Sequence, residues 1–372
     1  MAEYFLTESI HSTPNYVVIG AGNGGQAMAG FLAMRGFGVN LWNRSASVVE
    51  RINELGGIQL EGHYSGFAVP NLITHDIDEA LDGARVIMVT VPASAHSAVA
   101  REMARSLKDG QIVVLNPGRT GGAFAFRRDL ERAGCKADVV LAEAGTFIYA
   151  SRTKEPGRSH VYGVKKHVSV AALPAHRTMD VLRALRPAFP QFIPAESVLA
   201  TSLDNMGAIF HPAPTLLNAG RIEKNETYDH YKTGITPAVA NLLQKMDEER
   251  LAIAHALGTP ARSAMEWLKD TYGVAGEDLY TAIQNNPAYD DIKAPKSLDT
   301  RYITEDIPFS LIPLIALGQA AGVATPVLET VVSLAESMFN CDFRSTGRGA
   351  EEMGIAGLNA RQISALALEG VC

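Results

Sequence analysis

Tyr16-Val17-Val18-Ile19-Gly20-Ala21-Gly22-Asn23-Gly24-Gly25 is the stretch that decides how this chain is read: an apolar run breaks into a glycine turn that opens a helix. The glycines have separate duties. Gly20 permits a tight turn, Gly22 lets a ligand approach the backbone with no Cβ in the way, and Gly25 lets the helix press against the strand. Free amides and the positive end of the helix then face an anion, so the stretch predicts a cradle for the pyrophosphate of a dinucleotide. Gly20, Gly22, Asn23 and Gly25 are its expected contacts. Six small residues also make ordinary loops. The strand before them argues for the cradle, as does the helical pattern from Gln26 to Met34, with Ala27, Phe31 and Met34 inward.

Outward from the turn, strand and helix signals alternate as a parallel sheet with crossover helices requires. Val39 to Trp42 read as a second strand. Ala84 to Val91 form a nearly continuous apolar run of the kind buried on both faces. Gln111 to Leu115 follow, ended by Asn116-Pro117-Gly118, and Asp138 to Leu141 begin another strand, ended by Glu143-Ala144-Gly145. His167 to Ala172 read as a late strand, with a helix from Pro174 to Leu185. From about Glu196 the pattern turns helical. Val239, Leu243, Met246, Ile253 and Leu257 recur at helical spacing around a charged segment, Asp247 to Arg250, as in an amphipathic packing helix. Leu311 to Leu317 and Val327 to Met338 predict two more helices, with Pro313 starting or kinking the first. The expected architecture is an α/β Rossmann domain with a mostly parallel sheet over residues 1–192, then an all-α domain over 193–372, with a cleft between them.

Composition fits a two-domain enzyme. A chain of 372 residues exceeds the usual single core. Its net charge of -7 and lack of a basic run offer nucleic acid no partner surface. Cys135, Cys341 and Cys372 share no CxxC spacing and leave one thiol over in any pairing, which speaks for a reducing, cytoplasmic setting and against a zinc site. Residues 1 to 14 carry Glu3 and Glu8 and lack the apolar core of a signal peptide. No apolar stretch reaches the roughly 18 residues of a membrane span. The helical domain could carry a homodimer contact, but no exposed apolar stripe can be separated from core.

A nicotinamide dinucleotide is the expected cofactor. An acid at the end of the second strand would bind the ribose hydroxyls of NAD and repel a 2′-phosphate. Here that strand ends Leu41-Trp42-Asn43-Arg44-Ser45, with no acid. Asn43 can hydrogen-bond a ribose or phosphate oxygen, Arg44 can offer its planar fork to a phosphate, and Ser45 adds a hydroxyl. The reading is therefore NADP(H) over NAD(H). Strand carboxyl ends face the ligand crevice, so the turns at Pro92 and Asn116 should flank the nicotinamide half.

In the second half, Asn205-Met206-Gly207-Ala208-Ile209-Phe210-His211-Pro212 sets a histidine among small and apolar residues. Arg301-Tyr302-Ile303-Thr304-Glu305-Asp306-Ile307-Pro308 follows. Taken singly, each is as readily structural as functional. With the glycine turn, however, these segments make the chain resemble the opine dehydrogenase family, of the octopine and nopaline dehydrogenase type, along essentially its whole length. The resemblance implies an enzyme that reductively joins the amino group of an amino acid to a 2-oxo acid, pyruvate being the family expectation. It implies His211 and Asp306 as the acid–base pair and Arg301 as the residue holding the oxo acid carboxylate.

The chemistry asks for the same residue types. Amine and 2-oxo acid give an imine carrying a carboxylate, and hydride must reach the imine carbon along a fixed line. A guanidinium such as Arg301 can grip that carboxylate with two parallel hydrogen bonds. A histidine, with an unperturbed pKa of about 6.5, exchanges protons near neutrality. Asp306 beside it would fix the ring tautomer and favour the protonated form. The five-residue step from Arg301 to Asp306 lets one segment present both. Asp299 is a rival that does not fit this Arg-x-x-x-x-Asp pattern. Glu143, at a strand end, is expected to face the crevice and bind the amino group or a cationic side chain. Asn205 is expected to orient substrate or the cofactor amide. A 3-hydroxy acid or 6-phosphogluconate type dehydrogenase ranks second, because such enzymes place a lysine in the catalytic helix and Thr201 to Asn218 contain none. A non-catalytic NADP-binding sensor would need the glycine turn and Arg44 but not His211, Arg301 and Asp306 together.

Overall fold

Alternation of side chains along a strand decides which core each residue joins, and in β1 (Tyr16–Ile19) both faces are buried. Val17 and Ile19 enter one apolar cluster, Tyr16 and Val18 another on the opposite face. The computed structural model describes residues 15–371; Glu3, Glu8 and the rest of residues 1–14, on which the leader reading rests, and Cys372 lie outside the described residues. The later strands are β2 (Val39–Trp42), β3 (Ile58–Gly62), β4 (Gly66–Ala68), β5 (Leu72–Thr74), β6 (Val86–Val89), β7 (Ile112–Leu115), β8 (Val140–Ala144), β9 (Tyr149–Glu155), β10 (Arg158–Val164), β11 (Val168–Leu173) and β12 (Phe192–Pro194).

Eight of them form one sheet in the order β12-β11-β8-β7-β6-β1-β2-β5. Every neighbouring pair is parallel except β8 with β11. The order reverses at β1, which has β2 on one side and β6 on the other, so the crevice for a ligand opens at the carboxyl end of β1. The expected mostly parallel Rossmann sheet is present, with strands shorter than the apolar runs: β6 ends at Val89, and β8 begins at Val140 and includes Glu143 and Ala144.

A second sheet, β4-β3-β10-β9, has no counterpart in the sequence reading. It braces the glycine turn from outside. Ser151 Oγ donates to Asn23 O at 2.8 Å, and the Thr153 backbone N–H donates to Asn23 Oδ1 at 2.8 Å. The helix after the turn, α1 (Asn23–Met34), buries Ala27 and Phe31 as expected, but Met34 is 40% exposed because it lies in the last turn, beyond the edge of the core.

The remainder is helical. The helix Pro237–Ala256 buries Val239, Leu243, Met246 and Ile253, and Leu257 just beyond its end is buried too. Its charged segment is a correction to the amphipathic reading: Asp247 and Arg250 are both inside, paired through Arg250 Nε to Asp247 Oδ1 at 2.9 Å. Every charge there is answered. Asp247 Oδ2 accepts from the Ala264 backbone N–H, and Arg250 also donates to the carbonyls of Leu203 and Arg262. The helix Ile312–Ala321 carries Pro313 in its first turn, and the helix Pro326–Phe339 follows. The expected boundary between residues 192 and 193 falls inside β12, where Pro194 still pairs with Val170, so the sheet ends after Pro194. The end of the chain also returns to the first half: the helix Ala360–Glu369 lies against β11, and Arg348 donates to the carbonyls of Gly118 and Thr120. Among the described residues, no helix is long and apolar enough to cross a membrane, and Cys135 and Cys341 are free thiols.

Candidate active site

The glycine cradle has the shape its sequence demands. Gly20 adopts φ +105°, a conformation that disfavours any side chain, and a Cβ on Gly25 would stand 1.6 Å from Gly20 O. At Gly22 an added Cβ would meet nothing within 4 Å, so the backbone there faces open space. No side chain caps α1, and its first turn holds no acid. Uncapped amides at a positively polarised helix end fit a pyrophosphate.

The other expected cofactor contacts divide. Asn43 Oδ1 accepts from the Ala21 backbone N–H at 3.0 Å, so this side chain ties β2 to the glycine turn. Asn23 is tied by its Oδ1 to β9. Arg44 is exposed and, among the described residues, has no carboxylate partner. Ser45 precedes the helix Ala46–Glu54 without capping it through its side chain. Pro92 starts the short turn Ala93–Ala95 at the end of β6, and Asn116 ends β7, buried, with Nδ2 donating to Val114 O at 2.8 Å and Oδ1 unpaired.

In the second half, His211 stands between the helices Gly207–Phe210 and Pro212–Leu217. Pro212 has no N–H to continue the first helix and is well suited to begin the next, which fixes His211 at the junction. The segment carrying Asp306 is held by Ile303, Ile307 and Leu311, all buried at four-residue spacing. His211 Nδ1 and Asp306 Oδ2 lie 2.8 Å apart. The Tyr302 ring stacks on the imidazole with centroids 4.1 Å apart. Among the described residues His211 Nε2 has no hydrogen-bond partner.

Asp306 is fully buried, and its other oxygen meets Arg119 Nη1 at 3.1 Å. Burial alone would raise this carboxyl, but Arg119 and then His211 outweigh it and hold it below the ordinary carboxylate range. Arg119 comes from the first half, three residues past Asn116, at φ +61°. A side chain in that region costs on the order of 1 kcal/mol, the kind of strain that clusters at functional sites. Its Nε is buried with no partner. Glu305 joins the halves: its carboxylate accepts from the Ala93 backbone N–H at 2.9 Å, from Arg119 Nη2 at 3.3 Å and from Arg301 Nε at 2.5 Å.

The sequence reading missed Arg119 and Glu305. A cation just after the Asn116-Pro117-Gly118 turn, at a strand carboxyl end, was the available signal for Arg119. Arg301 does share the site with Asp306, but its side chain is 60% exposed and already paired with Glu305.

Two expected substrate contacts are corrected. Glu143 lies within β8 with 1% of its surface exposed, and its carboxylate is surrounded by donors: Thr201 Oγ1, Ser202 Oγ and the Ala123 backbone N–H. Strand alternation turns it into the interface between the halves, away from the crevice. Burial pushes its carboxyl up, against the lowering effect of those donors. Asn205 is buried too, with Nδ2 donating to Thr120 Oγ1 and Ser310 Oγ; Ser310 in turn donates to Asp306 Oδ1 at 3.4 Å, so Asn205 supports the site from behind.

Comparison with known proteins gives this geometry its context. Residues 194–339 match the family model of the NAD/NADP octopine/nopaline dehydrogenase alpha-helical domain, and residues 15–117 match that of the NAD-dependent glycerol-3-phosphate dehydrogenase N-terminus. An opine dehydrogenase of Arthrobacter sp. (strain 1C) is 41% identical over 349 residues, covering 94% of this chain and 97% of that protein. An octopine dehydrogenase solved with NADH and agmatine superposes with a TM-score of 0.81 at 25% identity, over 96% of this chain and 98% of the other. The octopine dehydrogenase structure with NADH and pyruvate gives 0.77 at 26% identity, over 92% and 96%. The chain therefore belongs to the opine dehydrogenase family, NAD(P)-dependent oxidoreductases that reductively condense an amino acid with a 2-oxo acid.

Proposed function

We propose that this enzyme joins an amino acid to pyruvate, with His211 as the proton-transfer group, Asp306 as its orienting partner, Arg119 and Arg301 as the anchor of the oxo acid carboxylate, and NADPH as the preferred reductant. The observation that carries the reading is the His211–Asp306 pair, one nitrogen held at 2.8 Å and the other without a partner among the described residues. Pyruvate rests on the family and on its presence in the similar octopine dehydrogenase structure.

The residues suit each step. Arg119, with a buried unpaired Nε, and Arg301, with its exposed guanidinium, can fix the carboxylate and so the line of approach to the oxo carbon. The amine nitrogen gives up two protons in becoming the imine nitrogen and the carbonyl oxygen gains two in leaving as water, and His211 Nε2 is placed to take each proton from nitrogen and return it to oxygen. Asp306 steadies the imidazolium in between. When bound, the cofactor would supply the hydride for the imine carbon, and the imine nitrogen would take a proton relayed from solvent by His211 to give the secondary amine. We assign residues up to Pro194 to cofactor binding and the helical half to substrate chemistry, Arg119 being the first half's contribution to the reacting centre.

The preference for NADPH rests on Arg44, an exposed guanidinium with no carboxylate within 4.0 Å among the described residues, where an NAD enzyme carries an acid. NADPH oxidation is to be followed by absorbance with amino acid alone, oxo acid alone, both, or neither. Turnover only with both supports the reading; turnover with the oxo acid alone makes it a ketone reductase. Arg44→Asp should weaken NADPH far more than NADH, and equal losses would remove the NADP assignment.

A further inference from the structure

We propose that Lys165 binds the carboxylate of the incoming amino acid, as a second anion anchor on the first-half side of the crevice. The proposal deepens the functional reading above and rests on it. An imine between an amino acid and a 2-oxo acid carries two carboxylates, one on each side of the C=N bond. In the cluster around His211, Arg119 and Arg301 are set against Glu305 and Asp306, so of these five groups a protonated His211 supplies the one net positive charge, with the exposed Arg152 of β9 acting on Tyr302 from farther off. A second carboxylate brought to the same centre calls for another positive group.

Lys165 is placed to be that group. It follows β10, and its backbone N–H donates to Ile148 O at 2.9 Å. Its Nζ donates to Thr146 Oγ1 at 2.6 Å. Thr146 lies just past the carboxyl end of β8, at the ligand end of the sheet. The next residue, Phe147, packs so closely on the glycine turn that a Cβ at Gly24 would stand 2.6 Å from its ring. One short segment thus borders the cofactor cradle with one residue and holds the Lys165 ammonium with its neighbour.

Lys165 is open to solvent, yet protein surrounds it on several sides, as at the wall of a cleft. Among the described residues no carboxylate comes within 4.0 Å of its Nζ. Crowding by protein, and after it the charge of Arg119, push its ammonium down to about 8. A cation held against desolvation and like charge with no acid to offset either is a receptor for an anion that arrives later.

The probes are the common amino acid that gives the fastest NADPH oxidation with pyruvate, and the amine left when its carboxylate is removed. Lys165→Met should raise KM for that amino acid by about tenfold to a hundredfold, the range of a lost charge-assisted hydrogen bond. KM for pyruvate and the dissociation constant of NADPH should stay near wild type, and Lys165→Arg should recover most of the loss. The decisive readout is discrimination. Wild type should favour the amino acid over its decarboxylated amine, and Lys165→Met should lose that preference by the same factor as its KM rises. An unchanged amino acid KM and preference in Lys165→Met overturns the proposal, as does a loss that appears on NADPH or pyruvate instead. If that happens while His211→Ala remains inactive, only this anchor falls. If no amino acid with pyruvate oxidises NADPH, the functional reading falls and takes the anchor with it.

Discussion

Two charge clusters, one on Asp247 and Arg250 and one centred on Asp306, are built on opposite plans. Around Asp247 and Arg250 the network is closed: each carboxylate oxygen has a donor, and the guanidinium reaches its acid and two carbonyls. Around Asp306 it is open. His211 keeps one nitrogen free, Arg119 has a buried N–H with no acceptor, and Arg301 extends outward. A closed network fixes a fold. An open one keeps hydrogen-bonding capacity for a ligand that the protein itself does not supply.

That difference can be broken by substitution. The largest effect belongs to His211→Ala, which should lower kcat by about 10²- to 10⁴-fold, the usual worth of a positioned proton-transfer group, with the melting temperature little changed. A variant with near-normal turnover would make the open cluster structural. Arg250→Met or Asp247→Ala should do the reverse, costing about 3–5 kcal/mol of stability by stranding a buried charge while the folded fraction stays active. Denaturant titration alongside active-site counting separates the two. Next comes Arg119→Met, expected to raise KM for pyruvate by about tenfold to a hundredfold and exceed the effect of Arg301→Met, since Arg301 is the more exposed and is paired elsewhere. A larger effect at Arg301 would reverse their roles.

The smallest effect sharpens the comparison through pH. Glu143 is a closed site, and burial raises its carboxyl. Unfolded, such a group ionises at about 4.3; folded, it keeps its proton to higher pH. The folded state thus binds more protons in that interval. Stability from this group is complete below about 4.3 and is lost as pH rises through the folded value. Glu143→Gln should therefore flatten the fall in stability above that pH, measured by urea midpoints across an acid-to-neutral series, and leave KM for both substrates unmoved. An unaltered pH slope would mean that the Glu143 carboxyl ionises alike in the folded and unfolded chain.

What could be read from the chain follows the range of the forces involved. The glycine turn and the strands of the main sheet were legible because apolar runs and glycines act locally, over a few residues. The second sheet was not: β3 pairs with β10 about a hundred positions later, and its outer faces carry exposed Phe67 and Tyr162, which blur any alternation. His211, Arg301 and Asp306 were singled out through the resemblance of their segments to the opine dehydrogenases, and the structure brings all three into one cluster with Glu305 and Arg119. Glu143 and Arg119 show why the rest escaped. Both are charges near the carboxyl end of a strand, and the sequence marks them alike. Alternation along β8 turns one into the interface, while a left-handed backbone turns the other toward Asp306. For Asp247 and Arg250 the missing information was the distant backbone of Leu203, Arg262 and Ala264, which a spacing of three along a helix cannot reveal.

The grip of Arg348 on the carbonyls of Gly118 and Thr120 spans 230 and 228 positions and sets the loop that presents Arg119. Its consequence lies in timing. On the ribosome, every strand of the nucleotide-binding sheet emerges long before the arginine that latches this loop. The loop that presents Arg119 can therefore be latched only after the whole sheet has been made, and its closure is a late event of translation.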